Sequence, residues 1–143
     1  MKRLFLDSDI ILDLLAERND FYNSAANIFK LAYEKEIEIF TSPVVFANVF
    51  YILRKIIGKD KAKEQLRDLR LIINILSINE GTVDLAFSST FKDFEDALQY
   101  FMARENTIPV IVSRNIKDYK VKDIIIQTSM EFIQMYKTST QFQ

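Results

Sequence analysis

Three stretches of the chain put carboxylates where an apolar run starts or stops. The first is Arg3-Leu4-Phe5-Leu6-Asp7-Ser8-Asp9-Ile10, a short hydrophobic segment ending in acid. The second is Asp93-Phe94-Glu95-Asp96-Ala97-Leu98-Gln99, where acids open an apolar stripe. The third, Val110-Ile111-Val112-Ser113-Arg114-Asn115-Ile116-Lys117-Asp118-Tyr119, repeats the plan of a strand followed by a polar loop. Carboxylates at the ends of parallel strands face one crevice, and carboxylates sharing a crevice hold hard metal ions. The chain has no His and no Cys. A thiolate zinc site is excluded, and catalysis would rest on acids, amides, hydroxyls and a divalent metal.

Each acid has a structural role to set against a chemical one. Asp7 follows buried strand residues, and a helix cap does not need both Asp7 and Asp9, so Asp7 reads as functional. Asp9 stays open between capping and function. Asp13, one turn later, is expected to be exposed on its helix. Asp93 suits an N-cap and Glu95 an ordinary first-turn acid. Asp96 reads as functional, because an Asp reaches back poorly where a capping box uses Glu. Asn115 and Asp118 are common turn residues, raised by their place after a strand.

The elements that must position these groups alternate between strand and helix. Arg3–Leu6 predicts a first strand, and Ile10–Ala16 a helix capped by Ser8 or Asp9. A second helix is expected over Tyr22–Lys35, with Ala25, Ile28, Phe29 and Ala32 at helical spacing. Ile37–Thr41 alternates as a strand, and Ser42-Pro43 starts a helix that Gly58 stops. Asp60 is expected to cap the next helix, to about Ile73. Further strands are expected at Leu76–Ile78, Val110–Ser113 and Ile124–Ile126, with helices from Asn79 to Ser89 and from Asp93 to Glu105. Thr128-Ser129-Met130-Glu131 is a capping box for a last helix ending near Tyr136. The pattern predicts an α/β domain with a central, mostly parallel sheet of four to five strands and helices on both faces. The domain is assigned to residues 1–136, with 137–143 as a polar tail that frays.

Composition sets bounds on the partners. A chain of 143 residues with a net charge of −1 fits one core and does not bind duplex DNA through bulk charge. Charge is uneven: residues 54–70 carry seven basic and three acidic side chains, which read first as solvated helix faces. The opening residues are not a signal peptide and no stretch is long enough to span a bilayer, so a cytoplasmic protein without membrane contact is expected.

Taken together, these segments resemble the PIN domain family, the fold of the VapC-like toxin ribonucleases, over about residues 2–136. Leu6-Asp7-Ser8-Asp9-Ile10 is similar to the family's opening Asp-Thr-Asn motif. Asp96-Ala97-Leu98-Gln99-Tyr100-Phe101-Met102-Ala103 is similar to its Asp-Ala-Leu helix motif. Ile111 to Tyr119 is similar to its Thr-Arg-Asp-x-x-Asp-Phe strand and loop. The resemblance implies a metal-dependent endoribonuclease, the toxin of a toxin–antitoxin pair, using Mg²⁺ or Mn²⁺. Asp7, Asp96 and Asp118 would bind metal, with Asn115 standing where a further acid is usual. Asn48 stands where the family carries a helix Glu. Ser8 and Ser113 would position water or phosphate. Two amides in place of acids bring no charge, so Asp118, Glu95 or Asp93 would have to compensate.

Two alternatives accompany this reading. The amides allow a catalytically degenerate domain of the same fold that binds RNA or a protein. Leu6-Asp7-Ser8-Asp9-Ile10 also resembles the nucleophile loop of haloacid-dehalogenase-type phosphatases, with Asp7 as nucleophile. Basic residues should rim an acidic pocket that takes phosphate, and Arg114, Lys117 and Lys120 are the expected RNA contacts. Phe46, Phe50, Tyr51, Ile52 and Ile56 exceed what a small core needs, and the resemblance implies a homodimer and an antitoxin partner there.

Overall fold

The computed structural model describes residues 1–141. Five strands form one parallel sheet: β1 (Lys2–Leu6), β2 (Ile37–Thr41), β3 (Ile73–Ile75), β4 (Val110–Val112) and β5 (Ile125–Gln127), in the order β3-β2-β1-β4-β5. Seven helices connect them: α1 (Ser8–Leu15), α2 (Asn19–Tyr33), α3 (Pro43–Ile57), α4 (Lys59–Leu69), α5 (Glu80–Ser88), α6 (Phe94–Glu105) and α7 (Ser129–Gln141). The chain winds from β1 outward through β2 to β3, then returns to the other side of β1 as β4. That reversal opens a crevice between β1 and β4 at their carboxyl ends.

Strand alternation divides the interior into two cores. Leu4 and Leu6 of β1, Ile37 and Ile39 of β2, and Val110 and Val112 of β4 face α1, α2, α3, α4 and α7. Phe5, Phe40 and Ile111 face the opposite way, toward α5 and α6. Leu6 and Ile39 are wholly buried, and truncating either to Ala costs about 2–5 kcal/mol. Register places Leu6 opposite Val112, and the Asp7 N–H extends the ladder onto the Val112 carbonyl at 3.1 Å. Asp7 and the loop after β4 are therefore fixed side by side.

Several local expectations hold. Ser42 accepts the Val45 N–H at 3.1 Å, with Pro43 in the first turn. Asn79 and Asp93 cap α5 and α6. The capping box of α7 closes in both directions, Glu131 N–H to Thr128 Oγ1 at 3.1 Å and Thr128 N–H to Glu131 Oε1 at 3.0 Å. Gly58 ends α3 at φ 90°, a left-handed conformation that favours glycine.

Others are corrected. The cap of α1 is Asp7, not Ser8 or Asp9. Gly58, not Asp60, sits at the N-cap of α4, and that helix ends at Leu69 rather than Ile73. The third strand is Ile73–Ile75, not Leu76–Ile78. Ile73 pairs with Ile39, whereas Leu76 and Ile78 pack as loop residues beneath the second core. The last helix runs past Tyr136 to Gln141. Along its polar end, Thr138, Ser139 and Thr140 donate their hydroxyls to carbonyls of the preceding turn at 2.9–3.0 Å. Residues 142–143 of the expected tail lie outside the described residues.

Candidate active site

The crevice between β1 and β4 gathers acids from three elements. β1 delivers Asp7, α6 delivers Asp96 and Glu95, and the loop after β4 delivers Asn115 and Asp118. Together with Ser8, Asp9, Asp93 and the Asn48 side chain of α3, they line one cavity of about 360 Å³. Ser113 lies beneath the floor, wholly buried. Of the residues expected at the site, Asp7, Asp96, Asp118, Asn115, Asn48 and Ser8 share this cavity. Asn115 and Asp118 are exposed at its mouth, while Asp7 and Asp96 are buried.

Asp7 is held on all sides by neutral donors. Its Oδ1 accepts the Ser8 N–H at 2.7 Å and the Gln99 amide at 3.3 Å, and its Oδ2 accepts the Ser113 hydroxyl at 2.9 Å. Ser113 in turn accepts the Asn115 N–H at 3.0 Å, which fixes the loop. Burial pushes the Asp7 carboxyl up, the Ser113 and Ser8 hydrogen bonds oppose it, and Asp9 adds to the rise. Among the described residues, no basic side chain pairs with it.

Asp96 sits in the first turn of α6, where its N–H meets the Asp93 cap at 3.0 Å. Burial, then the charges of Asp93 and Asp7, push its carboxyl up to about 7; the Tyr119 hydroxyl at 3.2 Å works the other way. Glu95 is also pushed up, first by burial, with Asn48 offsetting and Asp7 reinforcing. An acid pushed up to about 7 by burial and by neighbouring acids is a group that a cation would relieve.

The donor set fits a hard divalent cation: carboxylate, amide and hydroxyl oxygens, and no softer ligand. The Ser8 Oγ is buried in the cavity wall without a hydrogen-bond partner among the described residues, an orphan oxygen of the kind a metal-bound water satisfies. Among the described residues, no group of three acids stands close enough together to hold a metal ion as placed; the acids line an open pocket instead.

The basic residues divide. A second cavity of about 600 Å³ is lined by Lys92, Lys117 and Lys120 beside Asp93 and Asp118, which it shares with the acidic cavity. Arg114 turns the other way. Its Nη2 lies 3.3 Å from Asp13 and 3.5 Å from Asp9, and its guanidinium stacks 4.3 Å from the Phe21 ring. The expectation of Arg114 as a free phosphate contact is corrected by this pairing: its charge is engaged by two carboxylates. Asp13 is corrected too. It is 1% exposed, not a surface residue, and it also faces Arg18 at 3.6 Å.

Sequence reasoning missed Gln99, Tyr119 and the inward placement of Glu95. Gln99 and Tyr119 are buried, and the Tyr119 hydroxyl lies 3.0 Å from the Gln99 carbonyl. The available signal was a polar Gln within the apolar stripe of α6, three residues after Asp96.

Comparisons with known proteins agree with one another. A family profile described as a PIN domain matches residues 3–117. Ribonuclease VapC1 of Aquifex aeolicus (strain VF5) is 30% identical over 142 residues, covering 96% of this chain and 97% of that protein. A structure of VapBC2 from Rickettsia felis, bound to a DNA fragment from their promoter, aligns with TM-score 0.67 at 18% identity, over 88% of this chain and 98% of that one. VapC20 of Mycobacterium tuberculosis, a sarcin-ricin loop cleaving toxin, aligns with TM-score 0.66 at 15% identity, over 85% and 98%. At those identities the two structures speak for the fold.

Proposed function

The chain belongs to the PIN domain family, and from that premise we propose that it is a metal-dependent endoribonuclease, the toxin of a toxin–antitoxin pair. The observation that carries the reading is the buried pair Asp7 and Asp96, with no basic side chain of the described residues paired to either, in one cavity of the β1–β4 crevice with Asp118 and Asn115. The family match decides against the phosphatase alternative. The amides at 48 and 115 favour a degenerate binding domain, and Glu95 in the same cavity counters it by adding a further acid beside Asp7 and Asp96.

A Mg²⁺ or Mn²⁺ ion bound here would polarise the scissile phosphate and supply a reactive water at neutral pH. The chain's own residues prepare the place. Asp7 and Asp96 would ligate directly, with Asp118 and the Asn115 carbonyl oxygen at the exposed rim. Ser113 holds Asp7 in a single rotamer, so its outward lone pairs stay aimed at the pocket. The Ser8 hydroxyl is free to hold a water or a phosphate oxygen. Lys117, Lys120 and Lys92 lie along the adjoining cavity, where they would neutralise backbone phosphates without reading bases.

A partner surface completes the proposal. On α3, Tyr51, Ile52 and Ile56 are exposed, by 54%, 41% and 57%, and Tyr51 and Ile52 reach the rim of the acidic cavity. Phe46 and Phe50 fold partly into the first core, so the apolar strip is narrower than expected. A homodimer contact and an antitoxin segment are assigned to this strip. None of the described helices is long and apolar enough to cross a membrane; a cytoplasmic location is proposed with the toxin reading.

The test is cleavage of defined single-stranded RNAs by purified protein, with Mg²⁺, with Mn²⁺ and with chelator, beside Asp96→Asn. Metal-dependent cleavage that Asp96→Asn abolishes is the expected result. Cleavage insensitive to chelator, or retained by Asp96→Asn, overturns the mechanism.

A further inference from the structure

Gln99 makes a set of contacts that a core residue would not need. It is 1% exposed. Its Nε2 donates to Asp7 Oδ1 at 3.3 Å and to Glu95 Oε1 at 3.4 Å, and its Oε1 accepts from the Tyr119 hydroxyl at 3.0 Å. Both N–H groups and the carbonyl are thus engaged. The orientation of the amide follows from its partners: reversed, it would point its carbonyl oxygen at two carboxylates. Around it, α6 buries Ala97, Leu98, Phe101, Met102 and Ala103, so an apolar residue here would fill the same space with no polar group to satisfy.

Glu95 lies one helical turn before Gln99, half-buried, in the cavity that Asp7 and Asp96 line. A first-turn glutamate on an exposed helix start would extend into water. This one is turned inward toward the Gln99 amide and faces Asn48 of α3. Asn48 offers the pocket only a neutral oxygen; Glu95 offers a charged one.

We propose that Gln99 is the positioning residue of the acidic pocket, holding Glu95 beside Asp7 so that Glu95 serves, with Asp7 and Asp96, as a buried-side carboxylate donor to the divalent cation, in addition to Asp118 at the rim. The catalytic consequence rests on the ribonuclease reading; the metal-binding consequence does not. Tyr119 supports the arrangement from behind. Its hydroxyl lies within reach of both the Gln99 carbonyl and Asp96, tying the two walls of the pocket together.

The experiment uses the full chain and two readouts, Mn²⁺ binding by calorimetry without RNA and steady-state cleavage of a defined single-stranded RNA. Gln99→Met keeps the size and removes the donors. It is expected to weaken Mn²⁺ binding about tenfold and to lower kcat about tenfold with KM for RNA unchanged, the usual scale for a residue that orients a ligand. Glu95→Gln is expected to weaken Mn²⁺ at least as much, and the double variant less than the product of the two single losses, because Gln99 acts in part through Glu95 and in part through Asp7. Parent-like Mn²⁺ affinity in Gln99→Met or Glu95→Gln overturns the proposal, as does a double variant in which the two losses multiply. If Gln99→Met fails to melt cooperatively, Glu95→Gln decides alone: weakened Mn²⁺ supports the assignment and unchanged affinity sinks it. A parent that cleaves no RNA while both variants lose Mn²⁺ overturns the ribonuclease reading and leaves Gln99 and Glu95 as assigned. Unchanged variants of a parent that cleaves RNA do the reverse.

Discussion

Asp7 and Asp13 lie within two turns of each other, one capping α1 and the other on it, and both are buried. Their surroundings are opposite. Asp13 faces two guanidinium groups, Arg114 at 3.3 Å and Arg18 at 3.6 Å. Asp7 receives only neutral donors from Ser8, Gln99 and Ser113, and further acids share its cavity. Burial pushes both carboxyls up; at Asp13 the two arginines pull against it, at Asp7 only hydrogen bonds do. Burial alone therefore does not mark a functional acid. The mark is a buried charge that the protein orients and leaves without a counter-charge, at the mouth of a crevice.

The strongest break of this comparison exchanges the two acids' consequences. Asp7→Asn should reduce RNA cleavage on the order of a thousandfold or more, because it removes a direct metal ligand. The fold should survive and metal-free stability should hold or rise, because one of several crowded acids is gone. Asp13→Asn should do the opposite. It leaves two arginines, each still beside Asp9, facing a neutral amide and should cost about 1–2 kcal/mol, the range for breaking a buried pair reduced for the partly exposed arginines and their remaining carboxylate. Folded Asp13→Asn protein should cleave RNA at near the parental rate. Denaturant melts and cleavage rates on the same preparations check both halves, and matching phenotypes for the two variants would dissolve the distinction.

A smaller effect follows from pH. The Asp96 carboxyl rises from 3.8 to about 7 on folding. Between those values the folded state holds a proton that the unfolded chain has lost. The stabilisation is complete below about pH 4 and is lost as pH climbs toward about 7. Metal-free protein should therefore lose about 2 kcal/mol of stability over that window, a figure reduced for coupling among the acids. Saturating Mn²⁺ should flatten the slope, and Asp96→Asn should reduce it, leaving the contributions of the other carboxyls that burial pushes up, Asp7 and Glu95. Melting midpoints in chelator and in Mn²⁺ across the window give the answer; a stability that rises with pH would contradict the assignment.

The gentlest probe separates the basic groups. Lys117→Ala with Lys120→Ala should weaken RNA binding and lower its salt slope by about two units, one for each lost phosphate contact. Arg114→Ala should lower the melting temperature while leaving the salt slope of the folded protein nearly unchanged, because its charge faces Asp9 and Asp13. A salt slope that falls with Arg114→Ala and not with the lysines would reverse the two roles.

Much of the fold was legible along the chain. Short apolar runs located β1 and β4 and alternation located β2, and side-chain caps at Ser42, Asn79, Asp93 and Thr128 located four helix starts, because these signals act over three or four residues. Boundaries set by pairing were not legible. Whether Ile73–Ile75 or Leu76–Ile78 forms the third strand depends on which set meets Ile39, and both stretches are apolar. Asp7 capping α1 depended on where β1 stops, which the Val112 carbonyl determines through the Asp7 N–H.

For the pocket, residue types and order were enough to single out Asp7, Asp96, Asn115 and Asp118, since carboxylates after strands in an alternating α/β chain have one crevice to face. What lies opposite each side chain was decided only on folding. Arg114 is adjacent in sequence to Asn115 yet points at Asp9 and Asp13, because successive residues after a strand diverge to opposite sides. Gln99 reads as one polar residue in an apolar stripe until Asp7, 92 positions earlier, is brought against it. The sequence by itself determined which groups could ionise and which elements carry them. Only the tertiary structure decided which charges are cancelled and which are left open, because that depends on pairings between distant residues that no local pattern encodes.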